Sequence, residues 1–427
     1  MKYFLFIIII IFNNSVLSLN VDEAIKSTIE NNPKVKIAIE KLNESKELIE
    51  NAYGQKLPSI TSTISGTYSN SDSNTSTGST TPETFTDKYK ISLSQNLFDG
   101  GVNDLEIKRS KILFDNEIIN FQKTIQDLVL TAINGYFTVI NYEKSLDANK
   151  KNFDSVKRFL EETKTRYDLG SATLYDLQNA ESAYAIAGTS LFTARQNYNV
   201  SKITFKRIVG LDAFNLEEIV NFDQELDLNK IIEKSLKNNL DLLLLNNEIL
   251  NKKILLSKEK NSNKPSLDLS ASAEYSDAGR IDSGTEKTNG TIGLTLTIPI
   301  FNQNIDKSDI RKFQSQILQS ELNYVDSKDD IQIQASNLYK DYLISKSNIS
   351  TSIKRIESIQ TSLNSIIEEY NIGTKTINEL IEAESELLSV NVNYYSARKD
   401  YILNYFNIKA LEGSILDLFG EYLPNFN

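Results

Sequence analysis

Glu379 and Glu382 stand three residues apart, a spacing that puts two carboxylates on one face of a helix. Paired carboxylates can exchange protons or draw a hard cation to their oxygens. Tyr370, Ile372, Gly373, Thr374, Lys375 and Thr376 lie just ahead of them. A matching stretch runs through Tyr167, Leu169, Gly170, Ser171, Ala172, Thr173 and Asp176. Each stretch reads first as a helix stop and restart. Gly170 and Gly373 suit the left-handed position after a helix, and Thr173–Asp176 and Thr376–Glu379 have capping-box spacing. Capping leaves Lys375 and Glu382 unexplained, because their counterparts are the uncharged Ala172 and Asn179. Catalysis explains them poorly. The chain has no histidine and no cysteine, which removes the commonest general base, the commonest metal ligands and any thiol nucleophile. No nucleophile, cofactor motif or phosphate loop accompanies the carboxylates. The expectation is a protein that is not an enzyme and holds no cofactor.

The elements that position these turns are long. From Phe98 to Tyr167, and again from Phe301 to Tyr370, the interval is 69 residues. Apolar residues recur every seven positions at Ile118, Ile125, Ala132, Val139, Leu146, Phe153, Leu160 and Tyr167, and again at Ala335, Tyr342, Ile349, Ile356, Leu363 and Tyr370. A sustained heptad predicts helices wound against neighbours as a left-handed coiled coil. No proline falls between Pro82 and Pro265 or between Pro299 and Pro424, so neither helix contains a breaker. Some 65 helical residues span about 100 Å, which argues for an elongated body.

Around each long helix the same order recurs. An amphipathic lead helix is expected from Val21 to about Lys56, ended by Pro58, and another from Leu228 to about Lys260, ended by Pro265. Period-2 segments follow on either side of polar, turn-rich loops near 70–87 and 277–289. The predicted organisation is mainly α with membrane β, in two tandem repeats of helix, β-hairpin, long helix and return helix. The first repeat covers 19–210, with a hairpin at 59–98, a long helix at 102–167 and a return helix at 173–210. A linker covers 211–227. The second repeat covers 228–413, with a hairpin at 266–300, a long helix at 304–370 and a return helix at 376–411, and a tail covers 414–427.

Residues 1–18 read as an export signal: Lys2, then an apolar core from Tyr3 to Phe12, then Val16-Leu17-Ser18 at the cleavage site. Nowhere else is there an apolar run of the roughly 20 residues that a spanning helix needs. The formal net charge is −11, with both signs interspersed, which disfavours nucleic acid as a partner. Each predicted strand has about ten residues, one aliphatic face and one Ser/Thr/charged face, the pattern of a strand in an outer-membrane barrel. A lone hairpin leaves unpaired edges that lipid does not tolerate, and four strands do not close a useful barrel. Several chains must therefore share one. A soluble sheet would need an apolar cover that no remaining segment supplies.

With Leu97-Phe98-Asp99-Gly100-Gly101, Pro299-Ile300-Phe301 and two Tyr-x-x-Gly turns in this order, the chain resembles the TolC family of outer-membrane efflux channels over essentially its whole mature length. Asp176-Leu177-Gln178-Asn179-Ala180 and Gly373-Thr374-Lys375-Thr376-Ile377 are especially close. The departures are the missing cysteine of the lipidated branch and Asn302-Gln303-Asn304 where the family usually has glycines. The resemblance implies a homotrimer with a shared twelve-stranded barrel in outer-membrane lipid and an α-helical tunnel projecting into the periplasm. It also implies docking to a periplasmic adaptor and an inner-membrane pump of the RND, ABC or MFS type. The function so implied is the exit duct of a tripartite efflux or type I secretion system. By the same resemblance Asp176, Tyr370 and Lys375 would form the periplasmic gate, and Glu379 and Glu382 an acidic selectivity ring. Leu169, Gly170, Ser171, Ile372, Gly373 and Thr374 would be the tip turns that meet the adaptor. The alternative is a trimeric coiled-coil adhesin, which explains the heptads but not two barrel-like hairpins.

Overall fold

The computed structural model describes residues 18–70, 73–75, 78–80, 83–218, 225–278 and 285–420. The expected export signal lies outside the described residues except for Ser18, as do parts of both polar loops and the end of the tail. Most described residues are helical. The helices are α1 (Val21–Asn31), α2 (Pro33–Gly54), α3 (Val102–Asp168), α4 (Leu174–Val209), α5 (Leu228–Asn238), α6 (Leu240–Ser262), α7 (Ile305–Asn371), α8 (Ile377–Leu411) and α9 (Ile415–Leu418). The strands are β1 (Ser59–Asn70), β2 (Ser73–Thr75), β3 (Gly78–Thr80), β4 (Glu83–Phe98), β5 (Ser266–Ala278) and β6 (Thr285–Thr297).

Three expectations need correction. Each lead helix is two helices. Asn32 is extended ahead of Pro33, because a proline pushes the residue before it out of the helical region. Asn239 breaks the second with no proline beside it, its amide donating 3.2 Å to the Leu411 carbonyl. Next, the first polar loop is largely strand: β4 begins at Glu83, and β2 pairs with β3. Finally, β6 stops at Thr297 rather than Ile300, where Pro299 has no N–H to give a ladder.

The chain divides into two compact units. One comprises Ile39–Asn120 and Asp241–Ser327. It holds a four-stranded antiparallel sheet in the order β1-β4-β5-β6. Register puts like with like. The row Ile60, Leu93, Ala271, Ile292 and the row Ile64, Tyr89, Tyr275 lie on one face, while Thr63, Lys90, Glu274 and Asn289 share the other. The apolar face is bare: Ile60, Ile64, Tyr68, Ile91, Ile292, Leu294 and Leu296 are all exposed. Where β4 passes into α3, Gly100 and Gly101 are left-handed, at φ 72° and 87°. A Cβ on Gly100 would stand 2.7 Å from the Asn261 carbonyl oxygen. The second exit makes the same bend without glycine, at Gln303 (φ 49°) and Asn304 (φ 61°), at a cost of roughly 1–2 kcal/mol per residue.

The other unit comprises Met1–Ala38, Phe121–Leu240 and Lys328–Asn427. Ile125, Ala132 and Val139 of the α3 heptad are fully buried, as are Ala335 and Tyr342 of α7. Toward the end of α3 the buried stripe changes to Asn149, Asn152, Val156, Phe159 and Thr163, leaving Tyr167 exposed. A helix with 3.6 residues per turn drifts in this way against a seven-residue repeat. Tyr342 and Tyr401 stack with centroids 4.8 Å apart and share a 2.9 Å hydrogen bond. The buried Tyr136 hydroxyl lies 2.7 Å from the Leu19 carbonyl and 2.8 Å from that of Glu217, fastening the start of the described chain to the linker. Glu218 then accepts from Lys144 of α3 at 3.1 Å and from Arg398 of α8. Both cations hold its carboxyl below the usual range although burial alone would raise it.

Candidate functional site

Both turns lie in the unit containing the far ends of α3 and α7. Their backbones close alike. Gly170 and Gly373 take φ of 75° and 81°, with nothing within 4 Å of the Cβ either would gain. Ser171 N–H donates to the Arg166 carbonyl at 2.8 Å, and Thr374 N–H to that of Glu369 at 2.9 Å. These are the reverse bonds that satisfy a helix C-terminus. Capping boxes then start α4 and α8. Asp176 accepts from Thr173 N–H at 3.0 Å and Glu379 from Thr376 N–H at 2.9 Å, each threonine hydroxyl accepting in return. Leu169 is 78% exposed and Ile372 76%, so the two turns present bare aliphatic side chains.

Side chains separate the turns. Tyr370 is only 6% exposed and packs with Phe159, Leu363, Ile377, Leu380 and Ala383. Its hydroxyl is bonded to Thr163 of α3, and the Arg166 guanidinium lies 4.4 Å above its ring. Burial pushes the Tyr370 hydroxyl pKa up. Tyr167, the matching residue, is 38% exposed.

Lys375 donates to Glu379 Oε1 at 2.7 Å. That bond, followed by those from Thr376, pulls the Glu379 carboxyl down to about 2, and the same pairing raises Lys375. Glu382 is exposed one turn further along. Within one chain, then, Asp176, Tyr370 and Lys375 do not form one bonded group. Asp176 caps α4 and acts on Tyr370 through its charge alone, while Lys375 belongs with Glu379.

Sequence reasoning missed Thr163, Arg166 and Glu384. The first two were marked by the same test that marked Lys375, since their counterparts Ile366 and Glu369 differ in kind. Glu384 is buried on α8, its carboxyl pushed up by desolvation despite a bond from Ser155 and the nearby Arg158. Nothing in its spacing announces that.

Residues 24–211 and 232–414 each match the family described as outer membrane efflux protein. Outer membrane protein TolC of Escherichia coli K12 is 26% identical over 322 residues, covering 70% of this chain and 63% of that relative, a little under two thirds of it. The Campylobacter jejuni CmeC outer membrane channel superposes with a TM-score of 0.78 at 15% identity, over 95% of this chain and 90% of CmeC. Vibrio cholerae VceC gives 0.76 at 15% identity, over 92% and 96%. At such identities the structural likeness is one of fold: mostly helix with a small antiparallel sheet. With most of its length matched in two blocks, this chain belongs to the outer membrane efflux protein family, the TolC family, and is a protein of the outer membrane.

Proposed function

We propose that three copies of this chain form the exit duct of a tripartite efflux or type I secretion system. They would take substrate from an inner-membrane pump and a periplasmic adaptor to the outside. The observation that carries this reading is the sheet. One face of its four strands carries exposed apolar side chains at Ile60, Ile64, Ile91, Ile292, Leu294 and Leu296, and β1 and β6 end the strand order. A bare apolar face suits lipid, but open edges do not, because each unpaired backbone group costs several kcal/mol there. Pairing β6 of one copy with β1 of the next removes the edges, and three copies give 3 × 4 = 12 strands. The hydroxyl-rich opposite face then lines a wet lumen. In this reading the chain is two tandem repeats, and its long helices build the periplasmic tunnel.

The turns are the tunnel's closed end. Asp176, Tyr370 and Lys375 form the gate, Glu379 and Glu382 the acidic ring, and the exposed turn residues the adaptor contact. Lys375 already neutralises Glu379 within each chain, so the ring carries a net −1 per chain from Glu379, Glu382 and Lys375 together. Mass measurement of the detergent-solubilised protein should give three chains per particle. A stable, conducting monomer would contradict the assembly. Replacing Glu379 and Glu382 with Gln should weaken cation preference, and parental selectivity in that variant would show that both act only as caps and surface charge.

A further inference from the structure

Charge in the four-stranded sheet is sorted by face. Register puts Lys88 and Lys90 of β4, Glu274 of β5 and Lys287 of β6 on the hydroxyl-rich face. Lys90, Glu274 and Asn289 share one row there, and Lys88, Ser276 and Lys287 the next. The apolar face carries Glu83 and, side by side in one row, Asp87, Asp277 and Glu286. Among the described residues of these strands, every lysine therefore faces one way, and four of the six acids face the other.

Solubility alone would mix the signs on both faces. Here Asp87 and Lys88, and again Glu286 and Lys287, are chain neighbours that alternate to opposite faces with the pleat. All three lysines are exposed. Lys88 lies 3.8 Å from Glu274, while Lys90 and Lys287 have no ion pair among the described residues. The other acid of this face, Asp268, accepts from Asn96 at 2.8 Å. It lies six residues along β5 from Glu274, about 20 Å away and beyond the roughly 8 Å over which charge is felt at physiological salt. Three lysines against one glutamate leave +2 per chain, at the end of the sheet away from α3 and α7. Strand spacing sets Lys88 and Lys287 about 10 Å apart and Lys90 about 7 Å from Lys88. That spread suits a solute with several anionic groups better than a single carboxylate.

We propose that Lys88, Lys90 and Lys287 form a basic collar inside the outer mouth of the duct, which binds solutes bearing several phosphate or sulfate groups. The inference rests on the shared barrel proposed above and adds to it a site opposite in sign to the acidic ring at the turns. In three copies, +2 per chain becomes +6 around one lumen. A ring of lysines in a confined passage selects anions and raises their local concentration about tenfold or more.

The test uses the full-length assembly in detergent with tripolyphosphate as the probe, titrated by calorimetry at about 0.15 M salt, where charges on the far face of the sheet are screened. The parent should bind it saturably. Lys88→Gln with Lys90→Gln and Lys287→Gln should weaken binding about tenfold or more. Glu274→Gln, which removes the one acid of the collar, should tighten binding about threefold, a gain that a misfolded variant would not show. Asp87→Asn with Asp277→Asn and Glu286→Gln takes as many charges from the other face at the same height and should leave binding within about twofold. No binding to the parent, or equal binding to the parent and the lysine variant, would overturn the collar. So would an equally large change on removing the outward acids. Any of those results from a conducting three-chain particle would leave the duct reading standing. A one-chain particle would instead contradict the shared barrel, and the collar with it.

Discussion

The turn after α3 and the turn after α7 have nearly the same backbone: a left-handed glycine, a reverse bond to the carbonyl five residues back, and a threonine-led capping box. Their side chains divide the work unequally. The second turn supplies a buried tyrosine and an internally paired lysine and glutamate, while the first supplies a threonine and an arginine from its preceding helix. The two turns are thus alike in backbone and different in side chains. The backbone lets each turn form, and the side chains give each its own surroundings.

Truncating matching residues should separate the two turns most strongly. Tyr370→Ala removes the centre of a buried cluster and should cost about 3–5 kcal/mol, whereas Tyr167→Ala at the exposed counterpart should stay within about 0.5 kcal/mol. Denaturant midpoints of the solubilised protein measure both, and equal losses would erase the distinction. The shared half is tested by Thr173→Ala and Thr376→Ala, each expected to cost about 1 kcal/mol through its cap. A clear inequality would mean that one cap has another task.

Acid should also separate the turns. The Glu379 carboxyl lies near 2 in the folded chain, below its ordinary value of 4.5, because Lys375 and Thr376 bond its charged form. A depressed carboxyl contributes stability above its unfolded pKa and loses it as pH falls through the folded one. The second turn should therefore loosen between about pH 4.5 and 2, read as protease cleavage at Ile372–Lys375. Lys375→Ala should move that loosening to higher pH; an unmoved profile would show that the pair is incidental. Glu384→Gln should have the smallest effect. Its carboxyl is raised by burial, so its contribution worsens as pH rises past the ordinary carboxylate range. The amide should raise the neutral-pH melting temperature by no more than about 2 °C, and a lower melting temperature would mean that the carboxylate is needed.

Much of this was written locally in the chain. Heptads, prolines and alternating Ser/Thr strands carry helix, breaker and two-faced sheet in their own spacing. Pro33 also announced the break after α1, through the residue it precedes. What lay outside local pattern depended on partners distant in sequence. Asn239 breaks a helix by bonding Leu411, 172 residues away. The buried stripe of α3 leaves its heptad where the helix drifts, exchanging Tyr167 for Thr163. At the turns, periodicity marked the caps, and comparing the copies marked Lys375 and Glu382. The same comparison carried to Ile366 and Glu369 would have exposed Thr163 and Arg166. The burial of Glu384 left no such trace, because a glutamate on an amphipathic helix looks alike in water and in a groove.

The most direct test is resting conductance of the purified protein in a planar bilayer. The account predicts a mostly closed parent, a Tyr370→Phe/Lys375→Ser double variant that conducts at rest without losing its three-chain assembly, and a Tyr167→Phe variant indistinguishable from the parent. Equal leak from the Tyr167 and Tyr370 variants would contradict the asymmetry of the turns. No conductance from any of them, with assembly intact, would contradict the channel itself.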